Sequence, residues 1–508
     1  MSINRRNFIK TGGAAVAGTM VLPPLLKSCQ NLQISPDVKS YLDHFEVTPE
    51  MLQKVIAEAM SKGGDYADLF FEHKISNTLG LEDGNVNQAY SNVDYGVGVR
   101  VLKGDQTGFA YTETTTLQDM LKVAKTAANI ANDPVTFKQS EFTEKTIPNY
   151  YKVSQKWENS TVEEKIPYVQ KVNDRLLELD EKITKARVFM SDESAYVMFY
   201  NSEGLLTYDY RPMATLFVVC VMEKDGQIEN DSSGRSVRQG FEFLNDGLVE
   251  ELAQEAIAKT NFLFGAGKPK AGELPVVLGA GGSGILLHEA MGHPFEADFN
   301  RKGESIFSDK MGKSIAKDFI NIVEDGTMEN NRGALNIDDE GNDVKKIYLV
   351  KDGVLESYLH DRISAKHYGV DPTGNGRRQS FRHVPIPRMR ITYMENGPHT
   401  TDDLISSVDY GVYVDNFTNG QVNIGAGDFT FFVKSGILIE NGKLTQPIKD
   451  INIIGNGPQA LADITMAAGD YKTATGSWTC GKGGQSVPVG MGLPSVLVSK
   501  LTVGGTSA

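Results

Sequence analysis

Leu274-Pro275-Val276-Val277-Leu278, then Gly279-Ala280-Gly281-Gly282-Ser283-Gly284, then Ile285-Leu286-Leu287-His288-Glu289-Ala290-Met291-Gly292-His293 run on without interruption. The first run predicts a short buried strand, the glycines a tight turn, and the apolar residues after them a helix. Immediately upstream, Gly265-Ala266-Gly267-Lys268-Pro269-Lys270-Ala271-Gly272 has the composition of a linker. The chain is therefore expected to divide there, into an N-terminal domain over residues 40–264 and a C-terminal domain over residues 273–508.

Upstream of the linker, Thr48-Pro49-Glu50 starts a helix whose apolar residues Leu52, Val55, Ile56, Ala59 and Met60 share one face. From Tyr66 to Glu113, short apolar or alternating runs break at Glu82-Asp83-Gly84 and Lys103-Gly104-Asp105, which predicts an antiparallel meander. A helix follows over 115–132. The same order then recurs: a helix from Thr161 with Glu164 completing a capping box, strands over 186–223, and a helix near 247–262, which hints at internal duplication. Downstream of residue 340, short β-like runs and turns such as Lys351-Asp352-Gly353 dominate. The expected fold class is α+β: an N-terminal α+β domain of helices and antiparallel meanders, then a predominantly β C-terminal domain carrying the helix that ends in His293.

With 508 residues, 40% of them hydrophobic and 23% charged, the chain has material for more than one core and is neither disordered nor polytopic. A formal charge of −14 opposes the phosphate backbone and argues against a nucleic-acid partner. The cysteines Cys29, Cys220 and Cys480 are too few and too scattered for a disulfide lattice or a four-cysteine zinc site. Cys220, inside Leu216-Phe217-Val218-Val219-Cys220-Val221-Met222, reads as a buried, inert thiol. Residues 1–30 read as an export signal, with Arg5-Arg6-Asn7-Phe8-Ile9-Lys10 resembling the twin-arginine type. Leu25-Leu26-Lys27-Ser28-Cys29 resembles a loose lipobox, so lipid anchoring through Cys29 is weighed against simple cleavage; either way the destination is extracytoplasmic.

Two motifs overlap in the opening stretch. Gly279, Gly281 and Gly284 fit GxGxxG between strand and helix, but no prompt second strand ending in a ribose-binding acid follows, so a tight turn is the better reading than a nucleotide loop. His288-Glu289-Ala290-Met291-Gly292-His293 sets two imidazoles around a carboxylate, the combination with which metallopeptidases bind zinc and deprotonate its water. The spacing is one residue longer than HExxH. On a straight α-helix, positions i and i+4 lie about 40° apart but i and i+5 about 140° apart, so the backbone must widen into a π-type turn or end near Gly292, whose torsional freedom would permit it. Two histidines leave a catalytic zinc one protein ligand short, and Glu296 and Cys480 are both candidates. Glycines and a lysine around Cys480 suggest a partly exposed thiolate.

Four blocks resemble the TldD/PmbA family: HEAMGHPFEADFNRKG at 288–303, GNGRRQSFRHVPIPRMRITYM at 374–394, GQVNIGAGDFTF at 420–431 and CGKGGQSVPVGMG at 480–492, with a closing LTVGG at 501–505. The resemblance spans essentially the whole mature chain, and the HExxxH segment places it on the metal-bearing TldD branch. It implies zinc held by His288, His293 and Cys480, with Glu289 as general base on a metal-bound water and Glu296 orienting an imidazole. It further implies a zinc metallopeptidase acting on unfolded or extended peptides, with a TldE/PmbA-like partner subunit or a second copy. The family's label as modulator of DNA gyrase fits poorly with an acidic, exported chain. The alternative is a non-catalytic binding subunit with a structural metal. The basic cluster Arg377, Arg378, Arg382, Arg388 and Arg390 suits either a peptide carboxylate or internal ion pairs.

Overall fold

A computed structural model describes residues 35–133 and 135–504. The stretch expected to be an export signal, with Cys29, lies outside the described residues.

Helices α1 (Pro36–His44) and α2 (Pro49–Met60) lead into the strands β1 (Tyr66–Glu82), β2 (Asn85–Lys103) and β3 (Gln106–Thr112), followed by α3 (Leu117–Ala128). Thr48 caps α2 by accepting from the Met51 N–H, and Pro49 occupies its first turn, as the sequence predicts. After a short strand β4 (Thr143–Glu144) the pattern returns as α4 (Val162–Leu179), β5 (Ile183–Asn201), β6 (Leu205–Lys224), β7 (Gln227–Val237) and α5 (Asp246–Phe262). Helix, three antiparallel strands, helix thus occurs twice. The two halves fuse through antiparallel pairing of β1 with β5, giving one seven-stranded sheet.

Strand alternation gives this sheet two different faces. Leu69 and Phe71 on β1, Val97 and Val99 on β2, and Met198 and Tyr200 on β5 pack under α1–α3; Val188 and Met190 on β5 and Leu216 and Val218 on β6 pack under α4 and α5. The opposite face meets the C-terminal half. There Phe70, Val197 and Phe199 enclose Phe381, while Arg100 donates from Nε to Asp68 (2.8 Å) and from Nη1 to Glu340 (2.7 Å). Arg100 and its two partners are essentially solvent-free, so removing the cation leaves buried carboxylates uncompensated. Arg100→Leu should cost about 3–5 kcal/mol in denaturant unfolding; a loss below about 1 kcal/mol, the scale of a surface pair, would contradict this account of the interface.

The C-terminal half begins with β8 (Gly272–Leu278), which joins a six-stranded sheet with Tyr410–Val422, Asp428–Glu440, Lys443–Asn456, Ile464–Ala467 and Val496–Val503. Pairing of Ile453 with Val503 closes this sheet on itself. A second six-stranded sheet contains Ile322–Asp325, Ile391–Met394 and Gly490–Leu493. Between them, residues 282–295 form the expected early helix, but broken into four turns: 3-10 over Gly282–Gly284, α over Ile285–Leu287, π over His288–Gly292 and 3-10 over His293–Phe295.

Candidate metal centre

The glycine turn is explained by packing. Gly281 has φ +95°, and a Cβ at Gly279 would lie 2.4 Å from the Tyr413 hydroxyl, one at Gly284 2.8 Å from the Gly492 nitrogen. The positive φ at Gly281 and close packing at Gly279 and Gly284 account for these three glycines without a nucleotide. Ile285, Leu286, Leu287, Ala290, Met291 and Phe295 then bury in one core, which holds the broken helix rigid.

The π turn does what the HExxxH spacing requires. The His293 N–H donates to the His288 carbonyl, an i→i+5 bond that widens the turn and brings the two imidazoles together, with centroids 5.0 Å apart and planes at 80°. The expected reason for Gly292 is corrected. Its torsions (φ −57°, ψ −54°) are ordinary helical ones; the glycine is needed for space, because a Cβ would meet Met389 Sδ at 2.0 Å.

Cys480 arrives from a hairpin, Thr479–Lys482 paired with Gln485–Pro488, that turns through Gly483 (φ +58°) and Gly484 (φ +74°). Its Sγ lies 3.3 Å from His293 Nε2, and one donor atom from each of His288, His293 and Cys480 falls within 4.8 Å of the others. The expected partial exposure of this thiol is wrong: Cys480 is 2% exposed, because the glycines build the turn beyond it and Lys482 is tied down by Glu296 and Asp298. Burial alone would raise its pKa, but His288 and His293 outweigh burial and hold it well below the usual thiol range, as a metal-ligating thiolate requires.

Behind His293, Glu296 Oε2 pairs with Nδ1 at 2.9 Å and takes Lys482 Nζ at 3.1 Å. Burial opposes ionisation of Glu296, yet Lys482, His293 and Arg388 pull its pKa down to about 2. Because the two imidazole nitrogens face opposite ways, Glu296 lies on the far side of the ring from Cys480 and orients His293. Lys482 also donates to Asp298 (2.7 Å), and Arg388 to the Cys480 carbonyl (2.5 Å). Sequence reading missed both roles, although the period of two puts Lys482 on the same face of the hairpin as Cys480. Glu289 is partly exposed, and burial holds its carboxyl above the usual range despite His288 and His293.

The donors fit a borderline-soft divalent metal: two imidazoles and a thiolate. His288 Nδ1 is buried without a hydrogen-bond partner, a gap a bound group would fill. The arginine cluster separates by role. Arg382 pairs with Asp94 and Glu113, and Arg390 with Glu324, while Arg377 and Arg388 donate to main-chain carbonyls. Cys220 is buried on β6 with its thiol pushed up to about 11 by burial, the inert residue expected.

Three domain profiles of the PmbA/TldA metallopeptidases match the chain: domain 1 over 67–131, the central domain over 155–261 and the C-terminal domain over 271–505. A metalloprotease TldD homolog of Buchnera aphidicola is 36% identical over 92% of this chain and 98% of its own. The chain belongs to the TldD/PmbA metallopeptidase family. A TldD homolog of Haemophilus influenzae is 39% identical over 87% of this chain and 93% of its own, and a Saccharolobus solfataricus relative named a zinc metalloprotease is 30% identical over 89% and 99%. The fold is also that of TldE from Thermococcus kodakarensis (TM-score 0.70, 19% identity, 90% of this chain and all of that one) and of a Thermotoga maritima protein named as a candidate modulator of a DNA gyrase (TM-score 0.73, 22% identity, 90% and 99%).

Proposed function

We propose that this TldD-type chain is a zinc metallopeptidase that hydrolyses unfolded or extended peptides, with His288, His293 and Cys480 as metal ligands and Glu289 as general base. The convergence of those three donors through a π turn carries the reading. Zinc held there supplies a Lewis acid for the scissile carbonyl and lowers the pKa of water. Glu289, partly exposed beside the two histidines, takes the proton from the attacking water and returns it to the leaving amine. Glu296 fixes the His293 ring, and Lys482 and Arg388 hold Glu296 ionised.

A TldE/PmbA-like partner is proposed from the family and from the TldE-like fold, with a second copy as the other arrangement. Export by the twin-arginine route to an extracytoplasmic location, with or without a lipid on Cys29, is proposed from the sequence. Zinc-loaded protein incubated with a mixed library of unstructured peptides should yield many cleavage products by mass spectrometry, all lost on metal removal. A zinc-replete protein that cleaves nothing, alone or with its partner, would favour the non-catalytic reading.

A further inference from the structure

The face of the N-terminal sheet opposite its helices also bounds a cavity of about 290 Å³ against the C-terminal half. One wall is the hairpin that carries Cys480: Thr479, its neighbour in sequence, and Val487, its cross-strand partner, both line the space. The floor is basic. Arg238, Arg377 and Arg378 are each no more than 5% exposed, and Arg211, Arg332 and Lys74 join them, against three carboxylates, Glu72, Glu193 and Asp339.

Carboxylates neutralise only two of the arginines: Arg211 pairs with Asp209 (2.9 Å), and Arg378 faces the buried Asp68 at 3.5 Å. Asp339 accepts from Arg211 (2.6 Å) and from the Arg378 main-chain N–H (2.8 Å). Glu72 accepts from the Phe381 N–H (3.0 Å) and Glu193 from the Ser76 hydroxyl (3.3 Å), and both flank Lys74. Neutral oxygens hold the remaining guanidinium groups: the Pro212 carbonyl takes Arg238 (3.3 Å), the Trp478 carbonyl Arg332 (3.0 Å) and the Pro488 carbonyl Arg377 (2.8 Å). Nε of Arg238 and Nε of Arg378 are buried with no hydrogen-bond partner. Burial first, with Arg238 adding to it, pulls Arg332 down to about 10 against Glu193 and Arg377 to about 9 against Asp339.

Buried cations without counter-ions are costly, and a planar guanidinium fork matches a carboxylate. The rim, at Gln379, Thr479 and Ser486, is exposed. We propose that this cavity is an anion subsite that takes a carboxylate of the bound peptide, from its C terminus or from an Asp or Glu side chain, next to the His288, His293 and Cys480 centre. The inference rests on the peptidase reading for the identity of the ligand as a peptide.

Calorimetric titration of zinc-loaded Glu289→Gln protein tests it with four forms of one short unstructured peptide: free acid or C-terminal amide, each with Glu or Gln at an internal position. At least tenfold tighter binding is expected for the form carrying the recognised carboxylate, and the arm that shows it identifies the source. Arg238→Gln should abolish the difference while leaving the uncharged amide's affinity unchanged. Arg332→Gln, nearer the rim, should reduce the difference and serves if Arg238→Gln does not fold. Equal affinity for all four peptides, or discrimination that survives in each variant that folds, would overturn the proposal, as would binding of inorganic sulfate with no discrimination among peptides. Since binding is read without turnover, failure of the wild-type protein to hydrolyse peptides would count against the peptidase reading and not against the subsite.

Discussion

Glu289→Gln is expected to keep its zinc and to lose peptide hydrolysis by about 10²–10⁴-fold in kcat, the range that one positioned general base contributes. The substitution preserves shape and removes only the proton acceptor. Glu289 is absent from the converging donor set of His288, His293 and Cys480, and it is more exposed than either histidine, so metal content and thermal stability should stay at wild-type values. Each tenfold loss corresponds to about 1.4 kcal/mol of transition-state stabilisation. Wild-type turnover in a zinc-replete Glu289→Gln protein would remove Glu289 from the mechanism. Loss of zinc along with activity would make it a ligand instead.

Cys480→Ala is expected to lower zinc affinity by more than the ~10–100-fold that loss of a residue supporting a metal ligand costs. Zinc stoichiometry after dialysis against a weak chelator checks this. The hairpin should remain folded, since its turn is made by Gly483 and Gly484 and its attachment by Arg388 and Gln485 through main-chain and side-chain bonds unrelated to the thiol. The sequence left Glu296 open as third ligand. Unchanged stoichiometry would return the assignment there, and would require the Glu296 carboxylate to leave His293 Nδ1, 2.9 Å away, and Lys482.

These two residues also mark what the chain's local pattern can and cannot disclose. The meanders were legible because turn residues and strand alternation are local, and the same held for the caps of α2 and α4. The widened turn at His288–Gly292 was legible too, since HExxxH spacing is incompatible with a straight α-helix. Gly292 was right in position and wrong in cause: its constraint comes from Met389, distant in sequence, whose sulfur occupies the space of a Cβ. Cys480 was misread as partly exposed for the same reason. Its neighbours suggested a flexible surface loop, but the hairpin closes over His293, and Lys482 spends its charge on Glu296 and Asp298. The arginine cluster looked uniform in sequence. The sheet face contributed by the N-terminal half gives Arg382 and Arg378 carboxylate partners in Asp94 and Asp68, Arg390 pairs with Glu324, and Arg377 is left on main-chain carbonyls at the cavity, where Arg238 and Arg332 join it from elsewhere in the chain.

The central claim, a catalytic zinc on His288, His293 and Cys480, is tested most directly by zinc-edge X-ray absorption on the purified, fully loaded protein. The account predicts one sulfur at about 2.3 Å, two imidazole nitrogens at about 2.0–2.1 Å and one further light-atom scatterer from solvent. A spectrum with no sulfur contribution would contradict the ligand set, and one fitted only by four protein ligands would contradict the open position that hydrolysis needs.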